Sequence, residues 1–239
     1  MIPKIMSMTV ALTALILAGG YQHVFGINGK PVLCVPDSDM DPLLVRYADE
    51  STNLNPGSGH TPGFSFLFSS KFMRSIISGY SIVPGFEEHP YVNNLSGTVG
   101  FLGQDDRARF GPAMRARDIK DEWYARDKCP EPSITPIVDT GLFEVKCSAE
   151  ANYSAIWSRA PDPTIVMPNP NEFIVATCNY RNIPLGPYRG KSFNSCTRTV
   201  IINRFFIDYR LQEENVALFS RIDAMIRDKL SEWERNCSL

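Results

Sequence analysis

Only three histidines occur in 239 residues, His23, His60 and His89, so a Ser/His or Cys/His catalytic unit would need one of them as its base. No G-x-S-x-G nucleophile elbow is completed, because Gly57-Ser58-Gly59 and Gly63-Phe64-Ser65 both stop short of it. No lysine has a serine three residues before it, and H-E-x-x-H and phosphate-cradling P-loop patterns are absent. The commonest serine, zinc-protease and nucleotide chemistries therefore have no signature here. There is no Cys-x-x-Cys pair, and with so few histidines a structural zinc site lacks its ligand spacing. Charge of one sign is also missing. Twenty-four Lys and Arg against 26 Asp and Glu give a formal net charge of −2, interspersed and without blocks, which leaves no electrostatic footprint for nucleic acid. Internal repeats and low-complexity tracts are absent, which excludes solenoid and fibrous architectures.

What is present begins with a leader. Lys4 precedes an apolar run from Ile5 to Ala18, then Gly19 and Gly20, then polar Tyr21 and Gln22, the pattern of an export signal cleaved after Gly20. The run is shorter than the roughly 20 apolar residues of a spanning helix. Weak apolarity through Val24 and Phe25 is the one feature that would extend it into a retained anchor, and a membrane is a partner only in that case. Tyr21 stands where a lipid-bearing cysteine would be, so no lipid anchor is expected. Loss of Lys4 with the leader moves the net charge to −3. Cys34, Cys129, Cys147, Cys178, Cys196 and Cys237 all lie beyond it, and an even count in an exported chain points to disulfides. Connectivity does not follow from sequence. The first pairing to consider is Cys178 with Cys196, at facing ends of two expected strands.

The remaining chain is long enough to bury a substantial core. We expect an α+β fold, mostly antiparallel sheet with two amphipathic helices, one of them closing the C-terminus, stabilised by disulfides. Strands are expected at Lys30 to Val35, Phe64 to Phe68, Gly97 to Leu102, Leu142 to Cys147, Tyr153 to Ser158, Phe173 to Tyr180 and Thr197 to Tyr209, on β-branched and aromatic content. In Lys71 to Val83 the helix and strand periods compete, and the segment reads as strand-rich. One helix is expected from Pro112 to before Cys129-Pro130. The other has Phe219, Ile222, Ile226, Leu230 and Trp233 on one face, with Arg221, Asp223, Arg227, Asp228 and Glu232 pointing elsewhere. Turn formers place long loops at Asn53 to Gly63 and Asn182 to Asn194. The Pro-rich stretch Pro130 to Pro136 is the candidate boundary between an N-terminal α+β lobe, 21–130, and a C-terminal lobe of hairpins and closing helix, 131–239, unless the two form one continuous domain.

Two segments carry concentrated charge. Asp37, Asp39 and Asp41 match the first three ligand positions of an EF-hand loop, but Pro42 replaces the required glycine and Ala48 the bidentate Glu. No cofactor is expected, a looser calcium site using Asp49 or Glu50 being the single candidate. The second segment, Gly85-Phe86-Glu87-Glu88-His89-Pro90-Tyr91, combines carboxylates with aromatic groups. His89 beside Glu87 and Glu88 could be tuned by them, whereas His60 sits in a Gly/Pro loop. Sequons occur at Asn94, Asn152 and Asn236.

The leader Met1 to Gly20, the mixed body with paired cysteines and the closing helix Asn215 to Asn236 together resemble the periplasmic immunity proteins that protect bacteria from type VI secretion toxins. The resemblance is of architecture and spans nearly the whole chain. It implies a non-enzymatic protein that binds one cognate toxic effector and occludes its active site, with a phospholipase of the D type the most plausible effector. An acidic loop could occupy a phosphodiester-cleaving site as a phosphate mimic. The candidate partner-binding residues are then Asp37, Asp39, Asp41, Glu87 and Glu88, with Phe86 and Tyr91 as apolar anchors. Two other classes stay open: an exported hydrolase using His60 or His89, and a structural subunit of the cell envelope.

Overall fold

The computed structural model describes residues 22–27, 30–40, 63–89, 91–101, 133–146, 153–158, 174–183 and 186–237. The leader, most of the Asn53 to Gly63 loop, the helix expected from Pro112, and Cys129, Cys147 and Asn152 lie outside these residues. An antiparallel hairpin opens the described chain, β1 (Gln22–Ile27) with β2 (Lys30–Pro36), and a 3-10 turn follows at Asp37–Asp39. Val24 and Phe25 thus stand in a strand.

Every other described strand joins one antiparallel sheet. The strands are β3 (Gly63–Phe68), β4 (Leu95–Phe101), β5 (Ser133–Ile137), β6 (Leu142–Lys146), β7 (Tyr153–Trp157), β8 (Ile174–Asn182), β9 (Ser192–Ile202) and β10 (Phe205–Gln212), in the order β3-β4-β10-β9-β8-β7-β6-β5. Strands from both sides of Pro130 share it. Among the described residues two α-helices accompany the sheet, α1 (Ser70–Ile76) and the closing α2 (Phe219–Asn236), the latter after a 3-10 segment at Glu213–Leu218.

Three segments depart from the sequence reading. Lys71 to Val83 begins as helix α1: Ser69 caps it by accepting from the Phe72 N–H, which decides the contest between periods locally. After α1 the chain leaves regular structure, turning at Gly79 with φ +89°, a conformation that L side chains avoid. Thr197 to Tyr209 is a hairpin, because Asn203 adopts φ 56° and reverses the chain between Ile202 and Phe205. Asn tolerates that region as few residues do, but without a glycine or proline beside it the turn signal is faint. Within the Pro-rich stretch, Ser133–Ile137 is a strand. It lies at the sheet edge, where Pro136 can do without a ladder donor.

Side-chain alternation assembles the core. On β10, Phe205, Ile207, Tyr209 and Leu211 are buried on one face, while Phe206, Asp208 and Arg210 turn to the other and are less covered. The buried face packs with β3, β4 and β9 against Ile222, Ile226, Leu230 and Trp233 of α2. Trp233 is ringed by Phe64, Phe66 and Phe68 at centroid distances of 5.5, 6.4 and 6.3 Å. Gly97 makes this closeness feasible, since a Cβ there would lie 2.6 Å from the Phe66 ring and 2.8 Å from the Asp208 carbonyl oxygen.

Asp223, expected to point away from the core, is buried in it. Its carboxylate takes the Arg198 guanidinium at 2.6 Å and accepts the Tyr209 hydroxyl at 2.8 Å. Arg198 also donates to the Val175 carbonyl at 2.8 Å and lies 4.7 Å from the Phe219 ring centroid. Burial opposes the guanidinium charge, but the hydrogen bond and field of Asp223 prevail and hold its proton more tightly than usual. Burial, reinforced by Asp223, likewise pushes the Tyr209 hydroxyl well above its ordinary pKa. One helical carboxylate thereby fixes α2 to two neighbouring strands.

Disulfides close both ends of the described architecture. Cys178 and Cys196 face each other across β8 and β9 and are bonded, while Cys34 on β2 is bonded to Cys237 just past α2.

Asp223→Ala leaves the buried Tyr209 hydroxyl and the largely covered Arg198 guanidinium without their carboxylate acceptor, and should cost about 3 kcal/mol in reversible urea unfolding; a loss typical of a surface substitution would contradict the clamp. In the chain-entropy account of cross-links a long closed loop stabilises more than a short one. The Cys34–Cys237 bond spans 203 residues and the Cys178–Cys196 bond 18. Removing the former by Cys34→Ser with Cys237→Ser should therefore lower the unfolding free energy more than Cys178→Ser with Cys196→Ser; the reverse order would overturn this ranking.

Candidate partner-binding loops

The β3–β4 connection, the β8–β9 hairpin and the 3-10 segment after β10 all emerge at one end of the sheet, as the registers Phe68↔Leu95, Asn182↔Ser192 and Gln212↔Ser195 require. Two buried asparagines set the first of these loops. Asn215, fully buried, accepts from the Ser81 N–H at 2.7 Å and donates to the Ser81 carbonyl at 3.0 Å, as a neighbouring strand would. Asn93 accepts from the Val83 N–H at 2.8 Å and donates to the Phe86 carbonyl at 2.7 Å, closing the loop on itself. The Tyr80 hydroxyl donates to the Asn93 carbonyl, and burial pushes its pKa upward.

A small apolar cluster of Val83, Phe86 and Val92, packed against Ile183, Tyr188 and Phe193, joins this loop to the hairpin. Phe86 stacks on Tyr188 at 5.7 Å and meets Phe193 edge-on at 5.6 Å. Lys191 fastens the two segments: its Nζ donates to the Gly85 carbonyl at 2.7 Å and lies 5.6 and 5.4 Å from the Phe86 and Tyr188 ring centroids. Gly85 takes φ +80° to bring that carbonyl into reach.

The acidic pair sits on this braced loop. Glu87 and Glu88 are exposed, and Tyr91 is 38% exposed. Glu87 accepts from the Gly85 N–H at 2.9 Å, and that bond, with further help from its own amide and Lys191, holds its carboxyl below the usual range. His89 plays a structural part here. Its Nδ1 accepts from the Tyr91 and Val92 N–H groups at 3.2 and 3.1 Å, leaving the ring proton on Nε2, and partial burial lowers its pKa. A base needs a free acceptor nitrogen, and this one is engaged by the backbone.

Other expected site residues are placed differently. Phe86, expected as an apolar anchor, is only 3% exposed and serves as the hub of the loop's own cluster. Asp39 is 7% exposed, and its Oδ2 accepts from Trp233 Nε1 at 3.0 Å and pairs with Lys229 Nζ at 3.2 Å. It secures the far end of α2. Asp37 is exposed at the start of the 3-10 turn. Asp41, Asp49, Glu50 and His60 lie outside the described residues; His23 is in β1. Among the described residues no group of three or more His, Cys, Asp or Glu is arranged to hold a metal ion. The two acidic segments are also far apart. The Asp37–Asp39 turn adjoins Lys229 and Trp233, whereas Arg221, at the other end of α2, donates to the Ser78 carbonyl at 2.7 Å. The twelve helical steps from Arg221 to Trp233 span about 18 Å.

Sequence reasoning passed over Asn93, Asn215, Lys191 and Glu213. Glu213 is half-buried, receives Asn194 Nδ2 on its carboxylate, and has Glu144 and Glu214 in its field. Burial first, then those two carboxylates, raises its pKa above the usual Glu range. A raised folded-state value means that stability is full below the unfolded value and falls as pH rises through the folded one. Glu213→Gln should accordingly raise Tm at about pH 7, with the gain fading as pH is lowered to the ordinary glutamate range near 4. A gain that persists at the lower pH would refute the electrostatic origin.

No protein-family model and no curated protein matches the chain. Among solved structures, an immunity protein of the Stenotrophomonas maltophilia type IV secretion system is similar over 91% of this chain and 96% of its own, with a TM-score of 0.44 and 9% sequence identity. The iron-regulated outer membrane lipoprotein FrpD of Neisseria meningitidis is similar over 90% and 92%, with a TM-score of 0.39 and 9% identity.

Proposed function

We propose that this chain is a periplasmic immunity protein that binds one cognate antibacterial effector of a type VI secretion system and occludes its active site, the effector being a phospholipase of the D type. The observation that carries this reading is the loop at Gly85 to Tyr91. It is braced from behind by Asn93, Phe86 and Lys191, yet it holds Glu87, Glu88 and Tyr91 outward. Rigid loops on a scaffold suit recognition, because little ordering entropy is lost on binding. Two carboxylates so presented suit a site built to receive phosphodiester charge. The disulfides Cys34–Cys237 and Cys178–Cys196 fit an oxidising compartment, in keeping with the export-type leader.

The protein without its first 20 residues, used as bait in an envelope extract of the producing cells, should retain one toxic enzyme in stoichiometric amount and suppress its phospholipid hydrolysis. Glu87→Gln with Glu88→Gln should weaken the inhibition about tenfold or more, since charge-assisted contacts are worth over a kilocalorie each, while the protein still unfolds in one cooperative transition; Glu88→Gln alone should weaken it and leave Tm unchanged. Asp39→Asn should lower Tm. Absence of a stoichiometric partner, or inhibition indifferent to the double substitution, would overturn the reading.

A further inference from the structure

The segment from Phe86 to Val92 turns on one nitrogen atom. His89 Nδ1 receives both the Tyr91 N–H at 3.2 Å and the Val92 N–H at 3.1 Å. Those bonds exist only while Nδ1 carries a lone pair. A protonated imidazole has N–H groups at both nitrogens, so Nδ1 would confront two donors, and three groups that formed two hydrogen bonds would form none. The exposed members of the candidate surface, Glu87, Glu88 and Tyr91, lie within two residues of this atom.

From this geometry we infer that neutral His89 is the positioning residue of the Glu87, Glu88 and Tyr91 surface, and that its protonation opens the turn and releases the bound partner. The inference rests on the binding role assigned above. It turns an acidic environment into a release signal, through the one side chain whose ordinary titration falls between pH 5 and 8.

The groups around the ring come from two elements. Tyr188 of the β8–β9 hairpin meets it edge-on at 4.8 Å and Phe86 meets it at 6.0 Å, both uncharged. Lys191 of the same hairpin, seated over Phe86 and Tyr188, opposes a second positive charge. The exposed carboxylates of Glu87 and Glu88, on the loop itself, favour it from solvent, where their field is screened. Partial burial disfavours the charged ring and lowers its pKa below the ordinary 6.5. Because the closed-state value is the lower one, the turn is fully formed above about 6.5 and is weakened as pH falls from there towards the closed-state value.

The test is an NMR titration of the free protein from about pH 7.5 to 5, following the His89 ring and the backbone amides of Tyr91 and Val92. The expected result is that both amides shift and lose hydrogen-exchange protection in step with the ring, while amides of β9 and β10 do not. His89→Asn, which offers an acceptor oxygen without titrating, should hold both amides unchanged over the range, and the partner retained by the bait should leave the wild type at about pH 5 but stay on the variant. Tyr91 and Val92 amides that ignore ring protonation would overturn the inference while leaving binding at neutral pH intact. Amides that move as expected in a protein that retains no partner would sink the binding role and leave the titrating turn standing.

Discussion

Asp223 accepts from Arg198 of β9 and Tyr209 of β10 beneath the closing helix, largely shielded from water, and the helix is seated on the sheet by that arrangement. Apolar contact alone would hold α2 against the sheet but would let it slide or rotate, because hydrophobic burial is not directional. A carboxylate that must meet a guanidinium and a hydroxyl from neighbouring strands fixes both rotation and translation. With Asp223 in place, Trp233 falls among Phe64, Phe66 and Phe68, its indole N–H reaches Asp39, and Cys237 reaches Cys34. At the other end, Asn215 reaches Ser81 and Arg221 reaches Ser78. The β1–β2 hairpin and the β3–β4 connection are thus both held through the helix.

This dependence links the core to the proposed binding surface. The loop that carries Glu87 and Glu88 takes its shape from its small Val83, Phe86 and Val92 cluster and from buried amides pairing with its backbone. Asn93 and Asn215 act there as single-residue substitutes for a strand partner, satisfying backbone groups that would otherwise be costly to bury. A surface prepared in this way loses little entropy on binding. The same economy makes it sensitive, since one titrating ring holds two of its amides.

Much of the antiparallel framework was legible in the sequence, because β-branched and aromatic residues concentrate in Phe64 to Phe68, Leu142 to Cys147 and Phe173 to Tyr180. The buried face of α2 was legible too, as Ile222, Ile226, Leu230 and Trp233 repeat at helical spacing. Asp223 was not, since a carboxylate one position from Ile222 reads as solvent-facing until the residue opposite it is known to be an arginine from a strand 25 residues earlier. Asp37 and Asp39 look alike in sequence, and only the long-range contacts to Lys229 and Trp233 separate the exposed one from the buried one. Phe86 in a charged loop carried no sign of its hub role, because Tyr188 and Phe193 arrive from a hairpin a hundred residues away. Helix α1 turned on a single cap, Ser69, and the β9–β10 reversal on a single Asn203.

The central claim, that the loop end is a rigid surface braced by the helix-to-sheet clamp, is tested most directly by native-state hydrogen exchange of the free protein at neutral pH across a series of sub-denaturing urea concentrations. The Ser81, Val83 and Phe86 amides, which donate to Asn215, Asn93 and Val83 respectively, should be strongly protected and should join the exchange isotherm of α2 before global unfolding. Loop amides that exchange at nearly unprotected rates while α2 stays closed would contradict the account, leaving a well-clamped core with an unbraced loop.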